Sequence, residues 1–144
     1  MASSARTPAH LWIVGGLASL WNAFGCYDYV MTQTSAETHL ASFTAAQRAY
    51  FDSFPAWCEA AWACGVWGGL IGALLLLARS RHAVAAFIVS LAGLAATQVY
   101  QHLLSSPPEG LSSGAMLVMN IVIWAVAIGL LLYALRMRRA GVLR

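Results

Sequence analysis

The chain has 144 residues, 60% hydrophobic and only 9% charged, and its net charge of +3 rests on eight basic residues that are all Arg. A soluble domain of this size needs polar residues to cover a small core, and an average globular protein is about a quarter charged, so here lipid must do much of the covering. The arginines gather at the ends of apolar runs, without a basic stripe carrying interleaved aromatics, which excludes a nucleic-acid-binding surface.

Four apolar runs follow in order, at residues 11–31, 54–78, 82–104 and 115–137. Each holds about 20 residues or slightly more, enough at about 1.5 Å per residue to cross a hydrocarbon core of about 30 Å. In lipid such a run must be helical, because every backbone N–H and C=O has to be satisfied within the segment. The expected fold is therefore all-α: a bundle of four transmembrane helices in a single integral membrane domain, residues 1–144.

The first run follows Arg6 and His10, as a secretory signal would follow its basic start. Its length, its Trp12, Trp21 and Asn22, and the want of a small-x-small cleavage site favour a retained helix. In the loop after it, Thr44-Ala45-Ala46-Gln47 fits a capping box and predicts a short amphipathic helix over 45–52. Tyr50, Phe51 and Phe54 would then lie at the headgroup level, in an aromatic belt with Tyr27, Tyr29, Trp57 and Tyr100; the alternative is a surface turn with incidental aromatics. Asp52 or Ser53 is expected to cap the second run, with Pro55 in its first turn.

Arg79-Ser80-Arg81 is short and charged, which predicts a tight hairpin between the second and third runs. Ser105-Ser106-Pro107-Pro108-Glu109-Gly110 predicts a reversal, since Pro removes donors and Gly permits the turn. With four spans, Arg6, Arg79, Arg81, Arg136, Arg138, Arg139 and Arg144 share one side and only Arg48 lies opposite. The positive-inside rule then makes both termini cytoplasmic in a bacterial inner membrane. Asp28, Glu37, Asp52, Glu59 and Glu109 all fall in the outer half or the outer loops.

Lipid tails are as apolar as Leu, so helices associate by close packing. Gly65 with Gly69 and Gly68 with Gly72 make two overlapping small-xxx-small pairs in the second run, and Gly15 with Ser19 repeats the spacing in the first. Packing within one chain is the expected use; homodimerisation is the alternative. The three cysteines, Cys26, Cys58 and Cys64, form no framework, although Cys26 and Cys58 fall near the same end of two helices and one bridge between them is conceivable.

Polar residues within a membrane are costly and mark candidate sites. They concentrate here in the outer third: Glu59 about a turn inside the second run, Gln98, Gln101 and His102 on one face of the third, Asn120 in the fourth, and Asn22 and Asp28 in the first. Converging, they would form an outward-open polar pocket that binds a ligand or a proton, lined by Trp21, Trp62 and Trp124. Glu59 and His102 are the pair best suited to share a proton or hold a cation. No H-E-x-x-H, nucleophile elbow or phosphate loop is present, so no enzyme activity and no cofactor are expected. A haem or metal site involving His10 and His82 at the inner ends is a remote alternative.

Several stretches resemble a family of short bacterial inner-membrane proteins with four predicted helices, sometimes labelled sugar transporters. They are Leu20-Trp21-Asn22 with Gly25, Asp28-Tyr29, Met31-Thr32-Gln33-Thr34, Phe54-Pro55-Ala56-Trp57, Gly65-Val66-Trp67-Gly68-Gly69 and the Leu-rich run into Arg79, with Arg138-Arg139-Ala140-Gly141-Val142-Leu143-Arg144 at the end. The resemblance spans nearly the whole chain. It implies a compact four-span protein of a bacterial inner membrane and carries no site residues with it. The leading expectation is a non-enzymatic accessory subunit or binding module with the bilayer as its environment, in a larger complex or a homo-oligomer. A small-solute transporter, sugar included, working as a homo-oligomer is the alternative.

Overall fold

The computed structural model describes residues 6–144, and these are helical with no β-strand among them. Four long helices are joined by short loops: α1 (Ala9–Gln33), α4 (Ala56–Leu77), α5 (Ala83–Val99) and α6 (Gly114–Arg139). Between α1 and α4 lie two short ones, α2 (Glu37–Leu40) and α3 (Ala45–Asp52), and α5 runs on into a π-helical turn, Tyr100–Leu104. Three helices are long and apolar enough to cross a membrane: Ala56–Leu77, Ala83–Leu104 and Gly114–Arg139. α1 has the length, at 25 residues, but is less apolar, because His10, Asn22, Asp28 and Gln33 interrupt it.

The sequence dictates the ends of these helices. α1, α4 and α6 all close with the backbone of the last turn folding back, as in Ser80 N–H to Leu75 C=O at 2.8 Å and Val142 N–H to Met137 C=O at 3.0 Å. The residue after each turns left-handed: Ser35 (φ 50), Arg79 (φ 56) and Gly141 (φ 72). α3 begins with the expected capping box, the Thr44 hydroxyl accepting from Gln47 N–H at 3.2 Å and the Gln47 side chain accepting from Thr44 N–H at 3.0 Å. At α4 the expectation fails. Pro55 itself occupies the cap position, and the Ser53 hydroxyl turns back to donate to Tyr50 C=O at 2.7 Å. With Pro at the boundary, φ is already set for helix entry and one donor is already missing, so a side-chain cap has less to satisfy.

α1, α4 and α5 pack antiparallel in that order. A Cβ on Gly15 would stand 2.5 Å from Leu77 Cδ2, and Gly25 meets Val66 nearer the other end of the pair. The α4–α5 seam is closer still: a Cβ on Gly68 would lie 3.1 Å from Ser90 N and 3.2 Å from Ala86 O, and one on Gly72 2.7 Å from the Phe87 ring. Gly93 presses from α5 onto the backbone of Ala61 and Gly65. The Ser90 hydroxyl donates across the seam to Gly65 C=O, and Cys26 Sγ reaches Val66 C=O at 3.3 Å from α1. All three cysteines are free. α6 packs on α5 more loosely, and it does not pack along α1.

The two ends of the bundle differ. At the arginine end, Leu11, Ala73, Leu76, Ala83, Val84, Phe87, Ala134 and Met137 form a buried cluster. Val142 and Leu143, after α6, fold back beneath it, and Arg144 exchanges backbone hydrogen bonds with Arg79 and Arg81, both at 2.8 Å. Arg79 also donates to the Thr7 hydroxyl at 2.9 Å, and His10 Nδ1 meets the Tyr133 hydroxyl at 2.6 Å. The opposite end holds an aromatic cap and, beneath it, a cavity.

Candidate functional site: a cavity beneath an aromatic cap

The cavity measures about 400 Å³ and lies between α1, α4, α5 and α6. That size falls within the roughly 300–1,000 Å³ typical of small-molecule sites. One face of each helix reaches it at helical spacing: Trp62, Val66 and Gly69 on α4, and Asn120, Ile123 and Ala127 on α6 are examples. It exists because small residues hold α4 against α5 while α6 stands away from α1.

Six of the seven polar residues expected to converge line it: Asn22, Asp28, Gln98, Gln101, His102 and Asn120. Asn22 and Asp28 point about 120° apart around α1 by helical geometry, yet the cavity is wide enough to receive both. Gln98 Nε2 donates to Asn120 Oδ1 at 2.8 Å, tying α5 to α6. Asn22 donates to Ala18 C=O one turn back at 2.8 Å, and its Oδ1 occupies the space that a Cβ on Gly69 would take.

Glu59 stands outside the cavity. α4 starts at Ala56, which puts Glu59 in the first helical turn, where the free N–H groups favour a carboxylate. Trp62, one turn further along that face, takes the lining position. The structure therefore does not bring Glu59 and His102 together in the cavity. Trp124 is likewise absent from the lining, while Trp21 and Trp62 are part of it.

α3 covers the mouth. Tyr50 and Phe51 line the cavity, and Phe51 stacks on Trp62 at 6.0 Å between ring centres. Phe54 lies 5.2 Å from both Tyr50 and Tyr100, and Trp57 meets Tyr100 at 5.6 Å. Such pairs each contribute about 0.5–1.5 kcal/mol beyond area burial. The Ser105 hydroxyl donates to Tyr100 C=O at 2.9 Å within the π-helical turn, leaving Tyr50 to donate its own proton to Ser105 Oγ at 2.8 Å. Burial pushes the Tyr50 phenol above its ordinary pKa. Irregular turns of this kind recur at functional sites, and this one carries Gln101 and His102.

Sequence reasoning passed over His39. From α2 its Nε2 lies 3.0 Å from Asp28 Oδ1, but off the direction an in-line hydrogen bond requires, so the contact is one of charge when the ring is protonated. His39 also packs edge-on to Tyr27 and against Phe43. The spacing from Asp28 to His39 spans a helix end and a turn, and no periodicity connects them. Among the described residues, no three His, Cys, Asp or Glu side chains converge on a point.

No family model, curated protein or solved structure matches the chain.

Proposed function

We propose that the chain is a four-span protein of a bacterial inner membrane, of the short four-helix kind it resembles, with both termini cytoplasmic. In this reading it is a non-enzymatic binding module or accessory subunit that holds a ligand in an outward-facing polar cavity, alone, as a homo-oligomer or within a larger complex. The observation that carries the reading is the Gln98–Asn120 amide pair in a cavity whose other polar walls include Asn22, Asp28, Gln101 and His102. Half-buried amides that still present free donors and acceptors suit a ligand with hydrogen-bonding groups.

Membership of α1 among the spans is supported by its outer face. Ile13, Leu17, Leu20 and Phe24 recur at helical spacing and are 63–72% exposed, a stripe that suits lipid better than water. The single-sided cavity favours binding over transport, because the packed cluster around Leu11, Leu76 and Met137 closes the arginine end and alternating access needs a site near the middle.

The test uses a variant in which Cys26, Cys58 and Cys64 are Ala and Gln101→Cys supplies the single thiol. In spheroplasts a membrane-impermeant maleimide should label that thiol from outside. Labelling only after the membrane is broken would overturn the proposed orientation and pocket. Purification in mild detergent, with mass analysis of what accompanies the chain, separates an accessory subunit from a solitary binder.

A further inference from the structure

We infer that the cavity takes a single-chain amphiphile with an uncharged, hydroxyl-bearing head, and that its chain enters sideways between α1 and α6. The inference rests on the binding reading above and names the ligand class and its route.

The route is a second cavity of about 460 Å³ beside the first, lined by Val14, Leu17, Ala18 and Trp21 of α1 and Val126 and Leu130 of α6. Trp21, Val126 and Leu130 also line the main cavity, so the two spaces adjoin at these three side chains. Apart from the Trp21 ring N–H, no polar side chain among the described residues lines the side opening. A water-soluble solute gains nothing there, whereas a hydrocarbon chain keeps the surroundings it has in the bilayer. The opening is bounded at the arginine end by the His10–Tyr133 hydrogen bond.

The main cavity is divided in the same sense. Asn22, Asp28, Gln98, Gln101, His102 and Asn120 lie toward the aromatic cap, and Phe87, Val126, Ala127 and Leu130 lie toward the arginine end. An amphiphile matches that division with its head among the amides and its chain along α6. The head is uncharged because, among the described residues, no Arg lines the cavity and its one lining carboxylate, Asp28, opposes an anion. Amide groups and a His offer donors and acceptors together, which is what hydroxyls require.

The experiment places the full chain in phosphatidylcholine nanodiscs with a monoacylglycerol carrying a diazirine in mid-chain. Light should attach the probe to residues 14–21 of α1 and 126–130 of α6. Excess unlabelled monoacylglycerol should compete, and glycerol should not. Val126→Trp, which fills the opening, should cut labelling about tenfold, the equivalent of about 1.4 kcal/mol. Leu17→Trp, at an exposed position, repeats the test should the first variant fold poorly. A diazirine phosphatidylcholine labelling the same residues equally, without competition, would mean bulk lipid fills the gap and would overturn the inference. So would the absence of any lipid label there, as when a partner's helix occupies the groove. In both cases a Gln101→Cys thiol still reached from outside leaves the polar pocket standing; a thiol that is never reached removes the pocket itself.

Discussion

Gln98 and Asn120, 22 residues apart, meet through a 2.8 Å hydrogen bond between side-chain amides on α5 and α6. Removing either amide alone leaves the other without its partner. Interhelical bonds in membranes average about 0.6 kcal/mol and reach about 1.7. We expect Gln98→Leu and Asn120→Leu each to lower stability by about that range, and the double variant to cost no more than the worse single one. Unfolding titrations of the four proteins in mixed micelles provide the cycle; strict additivity would show that the bond contributes nothing.

The glycines divide sharply. A Cβ on Gly93 would meet the carbonyl of Ala61 and, at 2.6 Å, the nitrogen of Gly65, both backbone atoms that cannot swing aside. Gly93→Ala should therefore push α5 from α4 and cost about 1–3 kcal/mol as overpacking does. Gly129 has nothing within 4 Å, and Gly129→Ala should be neutral or stabilise α6 by up to about 1 kcal/mol. Thermal unfolding in detergent compares the two, and an equal response would contradict the packing described.

Tyr50 links the cap to the end of α5 in its protonated form. Its phenol is raised by burial, so the folded protein holds that proton more tightly than the unfolded chain does. The contribution is complete below the ordinary tyrosine pKa of about 10 and fades as pH rises through the higher folded value. Alkaline titration followed by ultraviolet absorbance should show a late phenol that Tyr50→Phe abolishes. The same variant should loosen α3 at neutral pH, read as faster amide exchange over 45–52.

The Asp28–His39 contact is partly exposed, and pairs of that kind contribute about 0–1 kcal/mol. Asp28→Asn should leave global unfolding nearly unchanged while quickening amide exchange in the four residues of α2. Unaltered exchange in α2 would show that the aromatic contacts of His39 alone hold it.

Helix positions, the hairpins at Arg79–Arg81 and Ser105–Gly110, and the capping box at Thr44 were legible because each depends on local chemistry. Six cavity residues were legible for a different reason: polar groups in a greasy run stand out wherever they point. What hydropathy lacks is azimuth and exact starting points. The packing of α4 turns Trp62 rather than Glu59 to the cavity, and Glu59 stays in the first turn outside it. The fold-back of Val142 and Leu143, the π-helical turn and the approach of His39 to Asp28 depend on contacts between distant residues, and nothing in their neighbours announces them. α1 shows the reverse difficulty: two of the polar residues that dilute its hydropathy, Asn22 and Asp28, line the cavity.

The fastening of Arg144 to Arg79 and Arg81, with Val142 and Leu143 tucked under the core, gives the molecule a pivot. The helices are clipped where the arginines are, whereas toward the aromatics α6 is held to α5 by the Gln98–Asn120 bond and leaves a gap beside α1. Any parting of α6 from α1 would therefore work like a clothes peg, growing with distance from the clip and widening the cavity that Trp21 and Met119 both line. A guest need not force the whole assembly apart, only the tips.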